Sequence, residues 1–247
     1  MRQAILGVVT VVGLTLASAT TAHAGRLVYM GLDPACHTSH PQAPQLAANA
    51  VRWAGNGNDP RILLVNAGCG GLTMLQNAGF TQITAIGQSQ FFSQTLSNFD
   101  VIYITGFLGA ENFTSSAGAV FKFVNMGGGL VTEGGTSSLA WAPLGNAIGL
   151  TGDGSNTEFI VDSLHPIMAG LTNAGLSNWH STSHSNFTMP TSGQFMTLAI
   201  DGQRVANLIV HEGVIRADTA PVAGWQGMLV LTIALLGWGL YRQRRAA

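Results

Sequence analysis

The chain has 247 residues, 47% of them hydrophobic and only 9% charged, with a formal net charge of −1. A single lysine, Lys122, and no basic stripe leave it without the electrostatic footprint of a nucleic-acid-binding protein. With two apolar termini set aside, the remainder suffices for one domain of ordinary size with a substantial core.

Residues 1–24 read as a secretory signal peptide. Arg2 precedes an apolar run from Ala4 to Ala17, and Ala22-His23-Ala24 supplies the small-residue cleavage pattern. Cleavage after Ala24 starts the mature chain at Gly25, outside the cytoplasm. A retained N-terminal membrane helix is the competing reading.

Residues 25–216 carry the domain. RLVYMGL (26–32) predicts a first strand that ends at Asp33-Pro34, because proline cannot donate to a ladder. ACHTSHPQAP follows as a polar loop. QLAANAVRW (45–53) places Leu46, Ala50 and Trp53 on one helical face, and GNGND stops it. RILLVNA (61–67) is a second strand running into Gly-Cys-Gly-Gly, Leu72–Ala78 a short helix, and QITAIG (82–87) a third strand.

The centre lies at 99–135. FDVIYITGF is an apolar strand; Val120, Phe121, Val124 and Asn125 follow helical spacing, and Gly127–Gly129 close the turn. LVTEGG is a further strand, and SSLAWAPLGNAIG a second possible helix. Strand, helix, glycine stop and strand form the pattern of a parallel βαβ unit. Runs apolar on both sides suit a parallel sheet covered by helices on both faces.

Beyond the centre, Glu158–Val161 reads as a short extended piece. His165-Pro166 opens a turn from which Ile167 and Leu171 pack inward. SNWHSTSHSNF (177–187) reads as a polar surface loop in which Trp179 covers apolar surface. Phe195–Ile200 and Val205–Val210 flank Asp201-Gly202, a hairpin signal. The expected fold is α/β: a flavodoxin-like, doubly wound, mostly parallel sheet with a C-terminal β-hairpin. Right-handed crossovers leave the C-terminal ends of parallel strands on one edge, where Asp33, Cys36–His40, Cys69, Gly106 and Glu133-Gly134 gather.

Residues 217–247 form a linker, an apolar segment and a basic tail. From Val222 to Tyr241 only Gln226 is strongly polar, which is long enough for a transmembrane helix. Trp225, Trp238 and Tyr241 lie near its ends, and Arg242, Arg244 and Arg245 place the tail on the cytoplasmic side.

Three groups of residues bear on chemistry. Cys36 and Cys69 each follow a predicted strand, and in an oxidising compartment they are expected to form a disulfide if the first and second strands are neighbours; the alternative is a reactive thiol. His37, His40, His180 and His184 fall in two loops and could draw a zinc or copper ion together, with Asp33 and Glu133 offering carboxylates at the same edge. Solvated or backbone-bonded histidines are the alternative. The glycine clusters at 68–71 and 127–129 lack the arrangements that cradle nucleotide phosphates.

FDVIYITGF, FVNMGGGLVTEGG and HPIMAGL, spread across most of residues 26–215, resemble the class I glutamine amidotransferase-like superfamily, and most closely its non-amidotransferase, trehalose-utilisation-like branch. The resemblance implies a nucleophilic cysteine on the elbow after LVTE. Here that elbow is Glu133-Gly134-Gly135, with no thiol and only Thr136 as a nearby hydroxyl. His211-Glu212 is similar to the second half of the family's triad, but it has no nucleophile to serve.

The C-terminal segment resembles bacterial sorting signals of the PEP-CTERM type, in the variant that opens Ile-Pro-Thr-Leu and continues Trp-Gly. Pro221, Trp225, Gly227, Met228, Arg242, Arg244 and Arg245 carry that resemblance; the opening here is Ala220-Pro221-Val222-Ala223. It implies processing by an exosortase-like membrane protease and delivery to the surface, with a plain stop-transfer anchor as the alternative. Together these readings predict a secreted, surface-sorted domain, non-catalytic or cryptically active, that binds a small molecule, glycan or matrix partner. A secreted hydrolase or metal-dependent enzyme, or a purely structural envelope component, are the competing expectations.

Overall fold

Five apolar runs become parallel strands: β1 (Arg26–Met30), β2 (Ile62–Val65), β3 (Ile83–Ile86), β4 (Val101–Ile104) and β5 (Gly129–Thr132). The computed structural model describes residues 25–65, 68–105, 117–134, 149–152, 155–179, 184–188 and 195–213. The predicted signal segment, most of the helix predicted over 137–149, Gly106, His180, and the C-terminal segment with Pro221, Trp225, Gly227, Arg242, Arg244 and Arg245 lie outside the described residues. Among those described, no helix is long and apolar enough to cross a membrane.

The parallel strands run in the order β3-β2-β4-β5-β1. Successive side chains serve opposite faces. Val28, Met30, Ile62, Leu64, Val101, Tyr103 and Val131 pack with α1 (Gln42–Ala54) and α2 (Gly71–Asn77) on one face. Leu27, Tyr29, Leu63, Val65, Ile102, Ile104 and Leu130 pack with Val120, Phe123 and Val124 of α3 (Ala117–Asn125) on the other. Burial on both faces explains why these strands read as unbroken apolar runs. Helix α1 begins three residues before the expected start; Pro44 falls in its first turn, where a missing N–H leaves no bond unmade.

An antiparallel extension continues the sheet past β1. β10 (Ala206–Glu212) pairs along β1, and β9 (Met196–Asp201) pairs with β10, giving the expected hairpin. Asp201 Oδ1 accepts the Gln203 and Val205 N–H groups and so closes that turn. β6 (Gly149–Gly152), β7 (Glu158–Ile160) and β8 (Ser185–Thr188) complete the ten described strands, with β7 on β9, and β8 between β10 and β6. A short α4 (Asn173–Leu176) is capped by Thr172, whose hydroxyl accepts from the Gly175 N–H.

Two expectations are corrected here. The stretch 177–187 is not simply a surface loop: Trp179 is fully buried, and Ser185, Asn186 and Phe187 are buried in β8. Polar residues can line a buried strand when they find partners, and Asn186 Nδ2 donates to Asp201 Oδ2 at 2.8 Å. Nor are β1 and β2 neighbours, since β5 and β4 lie between them and α1 crosses β1, β5 and β4 on the way.

Cys36 and Cys69 are nevertheless joined, with sulfurs 2.05 Å apart. The short 3-10 turns Pro34–Cys36 and Gly68–Gly70 lean over the strand ends and meet there. The bridge closes a separation of 33 residues. The chain-entropy relation predicts that replacing both cysteines by serine lowers stability by roughly 3–4 kcal/mol, read from urea midpoints under non-reducing conditions. An unchanged midpoint would contradict it.

Candidate functional site

The site is built where β1 stops. The Gly31 N–H donates to the Asn207 carbonyl at 2.6 Å, and its own carbonyl accepts the His184 N–H at 2.8 Å. A Cβ on Gly31 would fall on the Ser185 carbonyl, so only glycine lets the chain entering β8 pass this close. From the other side, the Gly134 N–H donates to the Leu32 carbonyl at 2.8 Å. Gly134 has φ +53°, and a Cβ there would lie 2.7 Å from the Asp33 Cβ. β5 and the entry to β8 thus pinch the end of β1, and Asp33 emerges between them.

Asp33 is 2% exposed. The 3-10 turn that follows brings His37 back over it, with the Cys36 N–H donating to the Asp33 carbonyl at 2.9 Å. His37 Nε2 lies 3.0 Å from Asp33 Oδ1 and His184 Nε2 lies 3.2 Å from Oδ2. The two imidazoles thus face the two oxygens of one buried carboxylate. One ligand atom from each of Asp33, His37 and His184 falls within 4.8 Å of the other two. Burial holds the His37 imidazole below its ordinary pKa against the pull of Asp33, with His184 and His40 adding to the depression; the ring is neutral at pH 7.

Glu133 forms the floor. Its Oε2 accepts the Ala35 N–H at 2.9 Å, tying the 3-10 turn to the end of β5, and the carboxyl is buried beside the Tyr103 phenol. Burial, reinforced by the Asp33 charge, pushes the Glu133 carboxyl up to about 8 against the help of the Ala35 N–H and the Tyr103 phenol. Tyr103 is itself buried and held well above its ordinary value by burial first and Glu133 second. Trp179, fully buried, stands 5.9 Å from the His37 ring and 6.2 Å from the His40 ring, centroid to centroid.

The fold therefore joins Asp33, His37 and His184 in direct contact, with Glu133 beside them. His40 belongs to the same wall, its ring 6.2 Å from that of His37, but stands outside the three-residue group. Cys36 and Cys69 are in the disulfide that steadies the turn. Sequence reasoning missed Tyr103 and Gly31. A tyrosine in a strand buried on both faces needs a polar neighbour for its hydroxyl, and that was the available signal; nothing local marks Gly31. His165 is structural as expected: its Nδ1 accepts the Ile167 N–H and its ring lies 5.0 Å from Trp53.

Two imidazoles and a carboxylate can hold a cation or bind a polar ligand, and the protonated Glu133 lies beside them. A groove lined by Leu96, Phe99, Asp100, Lys122, Phe123 and Met126 lies at the opposite edge of the sheet and has no imidazole in its lining. Compared with known proteins, the chain matches no family description, no curated protein and no solved structure.

Glu133 gives the metal-free protein a defined pH response. Its folded pKa of about 8 stands above the ordinary 4.5. Between those values the unfolded chain releases the proton while the folded chain keeps it, so stability is full below the window and falls as pH rises through it. The slope is about 1.4 kcal/mol per pH unit. Urea midpoints measured from pH 5 to pH 8 in chelator-treated protein should show this decline in the wild type and a flatter profile in Glu133→Gln. Identical profiles would contradict the assignment.

Proposed function

We propose that the chain is an exported protein whose folded domain is a binding module, held at least transiently at the membrane by its C-terminal segment, with its ligand site at Asp33, His37, His184 and Glu133. The observation that carries this reading is the pair of buried carboxylates, Asp33 and Glu133, gathered with His37 and His184 at one strand edge. Two carboxyls buried side by side are costly for a fold to keep for structural reasons alone. Their position outside the carboxyl ends of parallel strands is where open α/β sheets bind ligands.

The disulfide supports export into an oxidising compartment. It also leaves the described domain without a free thiol, which argues against amidotransferase chemistry at an elbow occupied by Glu133. A relationship to the amidotransferase-like, flavodoxin-like group draws on the central motifs and on helices covering both faces. The strand order is where this chain departs, because β1 lies beyond β5 rather than between the second and third strands. Sorting by an exosortase-like protease, and a glycan, matrix or small-molecule partner, belong to the same proposal.

A hydrolytic or metal-dependent enzyme is the second reading, favoured by the Glu133 carboxyl that stays protonated near neutrality beside Asp33. Intact mass of the protein recovered from its host tests the export reading. A chain starting at Gly25, shortened at its C-terminus and lighter by the two hydrogens of a disulfide is expected. A full-length, reduced chain in the cytoplasm would overturn it.

A further inference from the structure

We infer that the ligand of this edge is a divalent first-row transition-metal ion, zinc in the first instance, bound by Asp33, His37 and His184 with a coordination position left open. This rests on the reading of the edge as a ligand site and adds the chemistry of what it holds. One ligand atom from each residue lies within 4.8 Å of the other two, and the two imidazoles straddle the carboxylate, His37 Nε2 3.0 Å from Oδ1 and His184 Nε2 3.2 Å from Oδ2. An ion bonded at about 2.0–2.2 Å to imidazole nitrogen and carboxylate oxygen in tetrahedral geometry sets its ligands roughly 3.3–3.5 Å apart, so little movement is required.

The donor set decides the class of ion. Calcium and magnesium take oxygen ligands, whereas two imidazoles with one carboxylate suit zinc and its neighbours. Three protein ligands, rather than the four that close a structural zinc site, leave room for water or a substrate atom. Asp33 is buried with both carboxylate oxygens turned to imidazole nitrogens, the arrangement an ion bridging the three residues would use.

The scaffold is also built to hold the ligands still. Asp33 and His37 flank one 3-10 turn, pinned by the Cys36–Cys69 bridge and by the Ala35 N–H on Glu133. His184 is fixed through its backbone bond to Gly31, and Trp179 backs the His37 ring. Rigid support of this kind is what a metal site needs from its surroundings.

Cobalt(II) is the probe, because zinc is spectroscopically silent. The full chain, purified in mild detergent with its disulfide intact and stripped by chelator, is titrated with cobalt(II) and then with zinc. The expected result is one cobalt per chain with the visible bands of a four- or five-coordinate ion, displaced by one equivalent of zinc. His184→Ala and the near-isosteric Asp33→Asn should each weaken binding by about tenfold or more, and His40→Ala should not. Circular dichroism confirms that each variant is folded, and Asp33→Asn keeps the test alive if His184→Ala is not.

Failure of folded wild type to bind stoichiometrically, or binding that survives both ligand variants, overturns the metal. If the protein from its host instead carries another small molecule that His184→Ala loses, the metal falls and the ligand-site reading stands. If it carries nothing and the variants alter only melting, both fall.

Discussion

A carboxylate buried at the end of a parallel strand sets the terms for everything around it. Taking an ionised group out of water is unfavourable unless partners replace the lost hydration. Asp33 meets that demand with imidazoles alone; among the described residues no arginine or lysine pairs with it. The arrangement depends on two glycines. Gly31 admits the chain that delivers His184, and Gly134 gives way to the Asp33 side chain itself. Larger residues at either place would separate the elements that make the site.

Glu133 sharpens the problem. A second carboxyl in the same buried space can remain only by keeping its proton, and its single backbone donor comes from the turn that carries the histidine. Fold and site are thereby coupled: the turn is held by Glu133, the disulfide and Asp33, and the same turn supplies two of the three ligand atoms. A domain selected only for stability would gain by replacing such a cluster with packed apolar side chains. Its retention is physically intelligible if something binds there.

Much of the fold was legible because the strands are buried on both faces and the helices on one. Apolar runs such as VIYI and ILLV announce themselves, and the glycine and proline punctuation between them marks the turns. β6 and β8 were not legible, because their residues are mostly glycine, threonine, serine and asparagine and their burial depends on partners far away in sequence, such as Asp201 for Asn186. Strand order is equally non-local. The disulfide was anticipated on the premise that the first two strands are adjacent; they are not, and two turns reaching over the strand ends join the cysteines instead. Asp33 and Glu133 were placed at one edge by topology alone. The union of His37 with His184 needed the antiparallel extension, since a backbone bond to Gly31 brings the second loop onto the first.

The central claim is that Asp33 is kept for a ligand and not for the fold. Calorimetric melting of metal-free wild type and Asp33→Asn, each repeated with zinc, separates the two most directly. The account predicts that the metal-free variant melts no lower than wild type. Zinc at a hundredfold excess over its dissociation constant should then raise the wild-type midpoint by roughly 5–10 °C and leave the variant unmoved. A variant that melts well below wild type without metal, together with no zinc-dependent shift in either protein, would make the cluster a structural clasp and contradict the account.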